Sequence, residues 1–97
     1  MGGRIKVIVI NEKDNVATAL EPLNAGTKVS VKVQGRMEKL KLLSDIPMGH
    51  KFALRDMVEG GAVIKYGEAI GQTTAKITRG EHVHIHNVVS EPRGGLR

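Results

Sequence analysis

The chain has 97 residues and a formal net charge of +5, from 15 Lys and Arg against 10 Asp and Glu, which bounds it to one basic domain. It has no cysteine, so disulfides, thiolate metal sites and a cysteine nucleophile are excluded, and any metal must bind through His, carboxylate or amide groups. With one Tyr, one Phe and no Trp, the core must be aliphatic, and the stacking platforms of single-strand nucleic-acid binders are missing; no nucleic-acid partner is expected.

Arg4–Ile10 reads as a strand, mostly buried toward its end. Its apolar run stops at Asn11, too short for a signal-peptide core, and no run approaches the roughly 18 apolar residues of a membrane span. A cytoplasmic protein with no membrane partner is expected. The segment from Asp14 to Leu20 is either a strand or one or two helical turns capped by Asp14 or Asn15. From Thr27 to Val33 the alternation is clean, with Val29, Val31 and Val33 on one face and Lys28, Ser30 and Lys32 on the other. Gln34-Gly35 then suits a two-residue turn, and Arg36–Leu43 returns as the second arm of a hairpin. Lys39 and Lys41 oppose Leu40 and Leu42 there, so four lysines are ordinary solvent-face residues. Asp45–Gly49 reads as a loop, because Pro47 biases Ile46 away from helix. Phe52–Arg55 is a short strand candidate, and a strand from Val63 ends with Lys65 and Tyr66 at Gly67. The tail from Glu91 to Arg97 is expected to be mobile. The whole is a single all-β domain over 1–97, with one or two short helical turns.

A local motif recurs. Leu23-x-x-Gly26-x-x-Val29, Met57-x-x-Gly60-x-x-Val63 and Ile77-x-x-Gly80-x-x-Val83 each set an apolar residue, Gly three later and Val six later, before a strand candidate. The apolar residue anchors in the core, the Gly supplies a positive φ, and the strand departs. The uneven spacing excludes a solenoid.

The sharpest chemical pattern is Glu81-His82-Val83-His84-Ile85-His86-Asn87. On a strand, the three alternate histidines share one face about 6.7 Å apart, with Val83 and Ile85 toward the core. Two such imidazoles can grip one ion, whereas the outer two, about 13 Å apart, cannot easily share it. A group from elsewhere must then join, His50 or a carboxylate such as Asp14 or Glu68. Neutral imidazole with oxygen donors suits Fe²⁺, Mn²⁺ or Zn²⁺. Spacing alone favours a solvent-facing or partner-facing surface over a metal or acid–base site. Two weaker clusters accompany it. His50 and Lys51 follow Gly49 in a loop, where Lys51 could pair with a carboxylate. Lys65 and Tyr66 sit at a turn, where the Tyr66 hydroxyl could orient a polyhydroxy compound.

Taken together, Ile46-Pro-x-Gly-His-Lys-x-Ala-Leu54, Gly60 to Val63, Ile64-Lys-Tyr-Gly-x-x-Ile-Gly71 and Ile77-x-x-Gly-x-His-Val-His-x-His-Asn87 resemble the N-terminal region of the altronate and galactarate dehydratase family. The likeness covers roughly residues 12–89 and includes Asp14–Leu20 and Leu23-x-x-Gly-Thr27. It implies an SAF domain with a β-clip fold. It also implies a lyase subunit that removes water from a sugar acid next to its carboxylate, with a divalent metal, Fe²⁺ or Mn²⁺ before Zn²⁺. In this family the SAF domain is either fused to a large catalytic domain or a separate small subunit; the expected partners are therefore a large dehydratase subunit and a small hydroxy acid, in an oligomer. Relatives acting on sulfolactate release sulfite instead. Carried onto this chain, the resemblance implies catalytic roles for His50, Lys51, Lys65 and Tyr66, and a metal site among His82, His84 and His86 in which two of the three bind the ion. A non-catalytic assembly or carbohydrate-binding module is the remaining alternative.

Overall fold

The computed structural model describes residues 6–90, and its regular elements are all strands: β1 (Val7–Ile8), β2 (Val16–Ala19), β3 (Lys28–Val33), β4 (Arg36–Lys41), β5 (Lys51–Ala53), β6 (Ala62–Lys65), β7 (Glu68–Thr73), β8 (His82–Val83) and β9 (Val88–Ser90). They pair antiparallel in three sheets, ordered β1-β2-β5-β8, β3-β4 and β6-β7-β9. The all-β expectation holds. The expected helical turns do not occur among the described residues. The segment after Asp14 is strand β2, because it lies between β1 and β5 and satisfies its backbone across both. Asp14 caps no helix. Its buried carboxylate accepts the N–H of Asn11 at 3.0 Å and that of Gly67 at 2.9 Å, tying the start of β2 to the β6–β7 turn. The tail from Glu91 lies outside the described residues.

The hairpin β3–β4 follows its sequence pattern closely. Val29, Val31, Val33 and Leu40 are buried while Lys28, Lys32, Lys39 and Lys41 are exposed. Gln34 and Gly35, at φ 51° and 85°, make the two-residue turn, whose left-handed pair matches strand twist.

The recurring motif is a β-turn, and there are four copies rather than three. Leu23, Ile46, Met57 and Ile77 form the bridges Leu23↔Ile46 and Met57↔Ile77. Three residues after each stands a glycine at φ 91°, 83°, 82° and 92° respectively. The copy missed in the sequence is Ile46-x-x-Gly49-x-x-Phe52, where Phe replaces the final Val. In each turn the glycine N–H donates to a strand-end carbonyl: Leu42, Ala19, Thr73 and Ala53 accept at 2.7 to 3.0 Å. A carboxylate next to one turn of each pair then holds the other, Asp45 accepting from the Ala25 N–H and Asp56 from the Arg79 N–H, both at 2.8 Å. The turns therefore work as two linked pairs, each releasing strands into its own core.

The two cores share a wall. Alternate residues of a strand face opposite ways, so β5 and the residue after it send Phe52 and Leu54 into a cluster with Val31, Leu40, Leu42 and Ile46. Ala53, from the other face, joins Val16, Met57, Val63, Ile77 and Val83. Full burial of Phe52 stabilises the fold by about 1.5–3 kcal/mol. This shared wall fixes β5 against β8, and the candidate site lies at that seam. No helix among the described residues is long and apolar enough to cross a membrane.

Candidate metal centre

The register of β5 with β8 pairs Lys51 with Val83 and Phe52 with His82. One residue further along each strand, in opposite directions, stand His50 and His84. Their rings stack with centroids 3.9 Å apart and planes 14° apart. His82 joins from β8, with its ring centroid 5.1 Å from that of His50 and 5.6 Å from that of His84. Nδ1 of His50 and Nε2 of His82 are 2.9 Å apart, a hydrogen-bond distance across which one ring donates its N–H to the other according to tautomer. His50 is held by its turn, donating its N–H to the Pro47 carbonyl at 3.0 Å and accepting from the Ala19 N–H at 2.9 Å.

The straight strand expected through all three alternate histidines is not what forms. β8 ends at Val83, and residues 84–87 make a turn. The His84 N–H donates to Asn87 Oδ1 at 2.9 Å, the Asn87 N–H to the His84 carbonyl at 3.0 Å, and Asn87 Nδ2 to the His82 carbonyl at 2.8 Å. The buried Asn87 amide thus folds the segment on itself. Val83 is buried as expected, but Ile85 is 83% exposed, because the turn swings it out of the core.

His50, His82 and His84 each bring one ring nitrogen within 4.8 Å of the others, the arrangement of a metal-ligand set. His86 is not in that set. Its ring leans on His82 with centroids 5.1 Å apart and a 31° tilt. The structure therefore gathers His50, expected in a catalytic role, with His82 and His84, and leaves His86 at the edge. The donors fit a divalent ion of the iron, manganese or zinc type, since neutral imidazoles leave room for oxygen ligands.

The electrostatics favour neutral rings. Burial lowers the pKa of His82, and the neighbouring His86, His50, His84 and Lys51 lower it further. Burial also lowers that of His84, followed by His50, Lys51 and His86. Both therefore stay in the ligating form at neutral pH. Lys51 is half-buried beside them, and its pKa is lowered first by burial and then by the charge of Lys65. Together with Ile70, His84, Ile85, Val88 and Ser90, Lys51 lines an open cavity of about 130 Å³. Tyr66 lies elsewhere in the arrangement. It sits at the β6–β7 turn at φ 61°, 59% exposed, with Lys65 Nζ 5.0 Å from its ring centroid. Neither it nor Lys65 belongs to the histidine group. Asp14, one carboxylate considered for the ion, is committed to the turn at Gly67.

Several residues of the site had no role in the sequence reading. Asn87 shapes the turn, and its spacing of three from His84, typical of side-chain-to-backbone closure, was the signal available. Ser44 accepts the His82 N–H through Oγ at 3.3 Å. Ile70, Val88 and Ser90 reach the cavity only because β7 and β9 pair.

The profile of the altronate/galactarate dehydratase SAF domain matches residues 5–91. An altronate dehydratase of Escherichia coli is 48% identical over 83 residues, covering 86% of this chain but 16% of that protein. The galactarate dehydratase (L-threo-forming) of the same organism is 37% identical over 84 residues, 84% of this chain and 15% of that protein. The chain thus spans about a sixth of the dehydratases it matches. A (2R)-sulfolactate sulfo-lyase subunit alpha of Chromohalobacter salexigens is 38% identical over 84 residues, and there the match covers 82% of this chain and 89% of the relative.

Proposed function

Since the chain belongs to the altronate/galactarate dehydratase SAF-domain family, we propose that it acts as the small subunit of a metal-dependent hydro-lyase that dehydrates a sugar acid, in the cytoplasm and in complex with a large catalytic chain. The observation that carries this reading is the set His50, His82 and His84 at the edge of a cavity walled by Lys51.

The chemistry follows from what dehydration needs. A proton leaves the carbon next to the carboxylate, the hydroxyl on the following carbon leaves as water, and negative charge builds on the carboxylate side. Bound by His50, His82 and His84, Fe²⁺ or Mn²⁺ would supply charge stabilisation for that enolate. Lys51 pairs with the substrate carboxylate, and its position in a low-dielectric wall strengthens that attraction. Ile70, Ile85 and Val88 limit water around the carboxylate. Lys65 reinforces the positive field at Lys51. This chain provides one wall of the site, and the large chain provides the other, including the base.

One observation favours a second reading. The match to a sulfolactate sulfo-lyase runs over nearly the full length of its subunit alpha, so elimination of sulfite from a sulfonated hydroxy acid is the alternative. Co-expression with the large chain, then assays on a panel of hydroxy acids with and without Fe²⁺ or Mn²⁺, separates the cases. Metal-dependent loss of water from altronate- or galactarate-type acids supports the dehydratase. Sulfite release from sulfolactate replaces it with the alternative. A complex with unchanged turnover after His50→Ala and His84→Ala would reduce the chain to an assembly module.

A further inference from the structure

The outward face of the β3–β4 hairpin carries an uncompensated array of charge. The register sets Lys28 directly opposite Lys41, Ser30 opposite Lys39, and Lys32 opposite Met37. All six side chains are exposed. Directly opposed residues on one face have Cβ atoms about 4.5–5.5 Å apart, and like charges so placed oppose strand pairing. Residues two apart on a strand add a spacing of about 6.7 Å. Four lysines therefore share one compact face, and three of them, Lys28, Lys39 and Lys41, line a groove of about 190 Å³ together with Leu40.

Nothing within the hairpin neutralises it. The one carboxylate between Lys28 and Lys41 is Glu38, which pairs with Val31 and so belongs to the opposite face. Glu38 is also fully engaged: Arg55 donates to both its oxygens at 2.8 Å, and Arg79 approaches at 3.1 Å. Charged residues do protect open sheet edges from pairing with other chains, but that purpose is served as well by mixed signs, without setting two lysines face to face. The arrangement makes sense if an acidic surface covers it.

We propose that this lysine ladder docks an acidic surface of the large catalytic chain, an inference that rests on the two-chain reading above. Three features favour a protein over a nucleic acid. No aromatic side chain on this face offers a base a stacking platform. The face presents lysines and no arginine fork, since Arg36 pairs with Val33 on the other side. Met37, 66% exposed at the end of the ladder, supplies an apolar anchor of the kind buried at protein interfaces. The position also suits the site. Arg79 donates to the Lys39 carbonyl at 3.0 Å, and the Leu43 N–H to the Gly80 carbonyl at 2.9 Å, so the ladder strand abuts the turn that leads into His82.

The test is the affinity of the large chain for the full-length small chain, by titration calorimetry at low and high salt. Lys28→Glu with Lys41→Glu should weaken binding roughly tenfold or more at low salt, and the gap should narrow as salt rises. Lys28→Arg with Lys41→Arg should bind as the wild type does. Lys41→Glu alone should weaken binding while raising the thermal midpoint of the small chain, because the new carboxylate faces Lys28; a lost fold cannot produce that combination. Unchanged binding by the charge-reversed pair overturns the ladder as the docking surface and leaves the two-chain reading intact. Failure of the wild type to bind the large chain overturns both. If single-stranded RNA or duplex DNA binds the wild type more tightly than the large chain does, and charge reversal abolishes that binding, the face is a nucleic-acid site and the proposal falls.

Discussion

Nδ1 of His50 lies 2.9 Å from Nε2 of His82, although 32 residues separate them in the chain. One ring donates its N–H to the other across this gap, and an ion bound by both of these nitrogens requires that proton to move to the other nitrogen of its own ring, a change of tautomer. Substituting His50→Ala is expected to lower Fe²⁺ or Mn²⁺ affinity by roughly tenfold to hundredfold, as losses around metal sites commonly do. His86→Ala should bind close to wild type, since His86 is outside the ligand set. Anaerobic competition with a chelator measures both, and equal losses in the two variants would reject the assignment.

Asn87 holds the turn that presents His84. Its amide makes two hydrogen bonds to the backbone, accepting from the His84 N–H and donating to the His82 carbonyl. Asn87→Ala leaves both groups without that partner and should destabilise the chain by about 1–3 kcal/mol. Asn87→Asp keeps the acceptor and loses the donor, so its loss should be smaller. Urea denaturation ranks the three proteins, and an Asp variant less stable than the Ala variant would contradict the account.

The turn glycines should respond unequally to alanine. Gly49 is at φ 83° with open space where a Cβ would go, whereas at Gly80, φ 92°, the Cβ would overlap the Lys41 carbonyl oxygen. Gly49→Ala should cost about 1–2 kcal/mol, from backbone conformation alone. Gly80→Ala should cost about 3 kcal/mol or more, because backbone must also move. Similar thermal midpoints for the two variants would refute the role of the close approach.

Glu38 should shape the acid limb of stability. The Arg55 guanidinium bonded to it lowers its pKa to about 2 from 4.5. A carboxylate with a folded pKa below its unfolded one stabilises the fold above the unfolded value, and the contribution disappears as pH falls toward the folded value. Glu38→Gln should therefore be less stable than wild type at neutral pH, with the difference closing between about pH 4.5 and pH 2. A difference that stayed constant across this window would show that the ion pair does not couple to folding.

Much of the fold is legible because it depends on local patterns. Alternating Val and Lys from Lys28 to Val33 specify which face is buried, and Gln34-Gly35 specify the turn, since both rest on side-chain direction and allowed φ. The strand at Val16–Ala19 was ambiguous because alanine-rich segments carry little β preference, and its pairing with β1 and β5 decided the matter. The fourth turn, at Ile46–Gly49, was hidden by the Phe at its sixth following position.

The candidate site divides in the same way. By itself the sequence determined its ingredients: an all-β chain without thiolates, four histidines, three of them on alternate positions, and two lysines next to turns. It also determined the family, whose blocks spread over most of the chain. Only the tertiary structure decided which histidines stand together. The register of β5 with β8 is set by burial of Phe52, Ala53 and Val83 in two cores, and it brings His50 to His82 and His84. The Asn87 turn, which no alternation pattern encodes, moves His86 to the edge. Local sequence governs what a residue can do, whereas long-range packing governs which residue it can do it with.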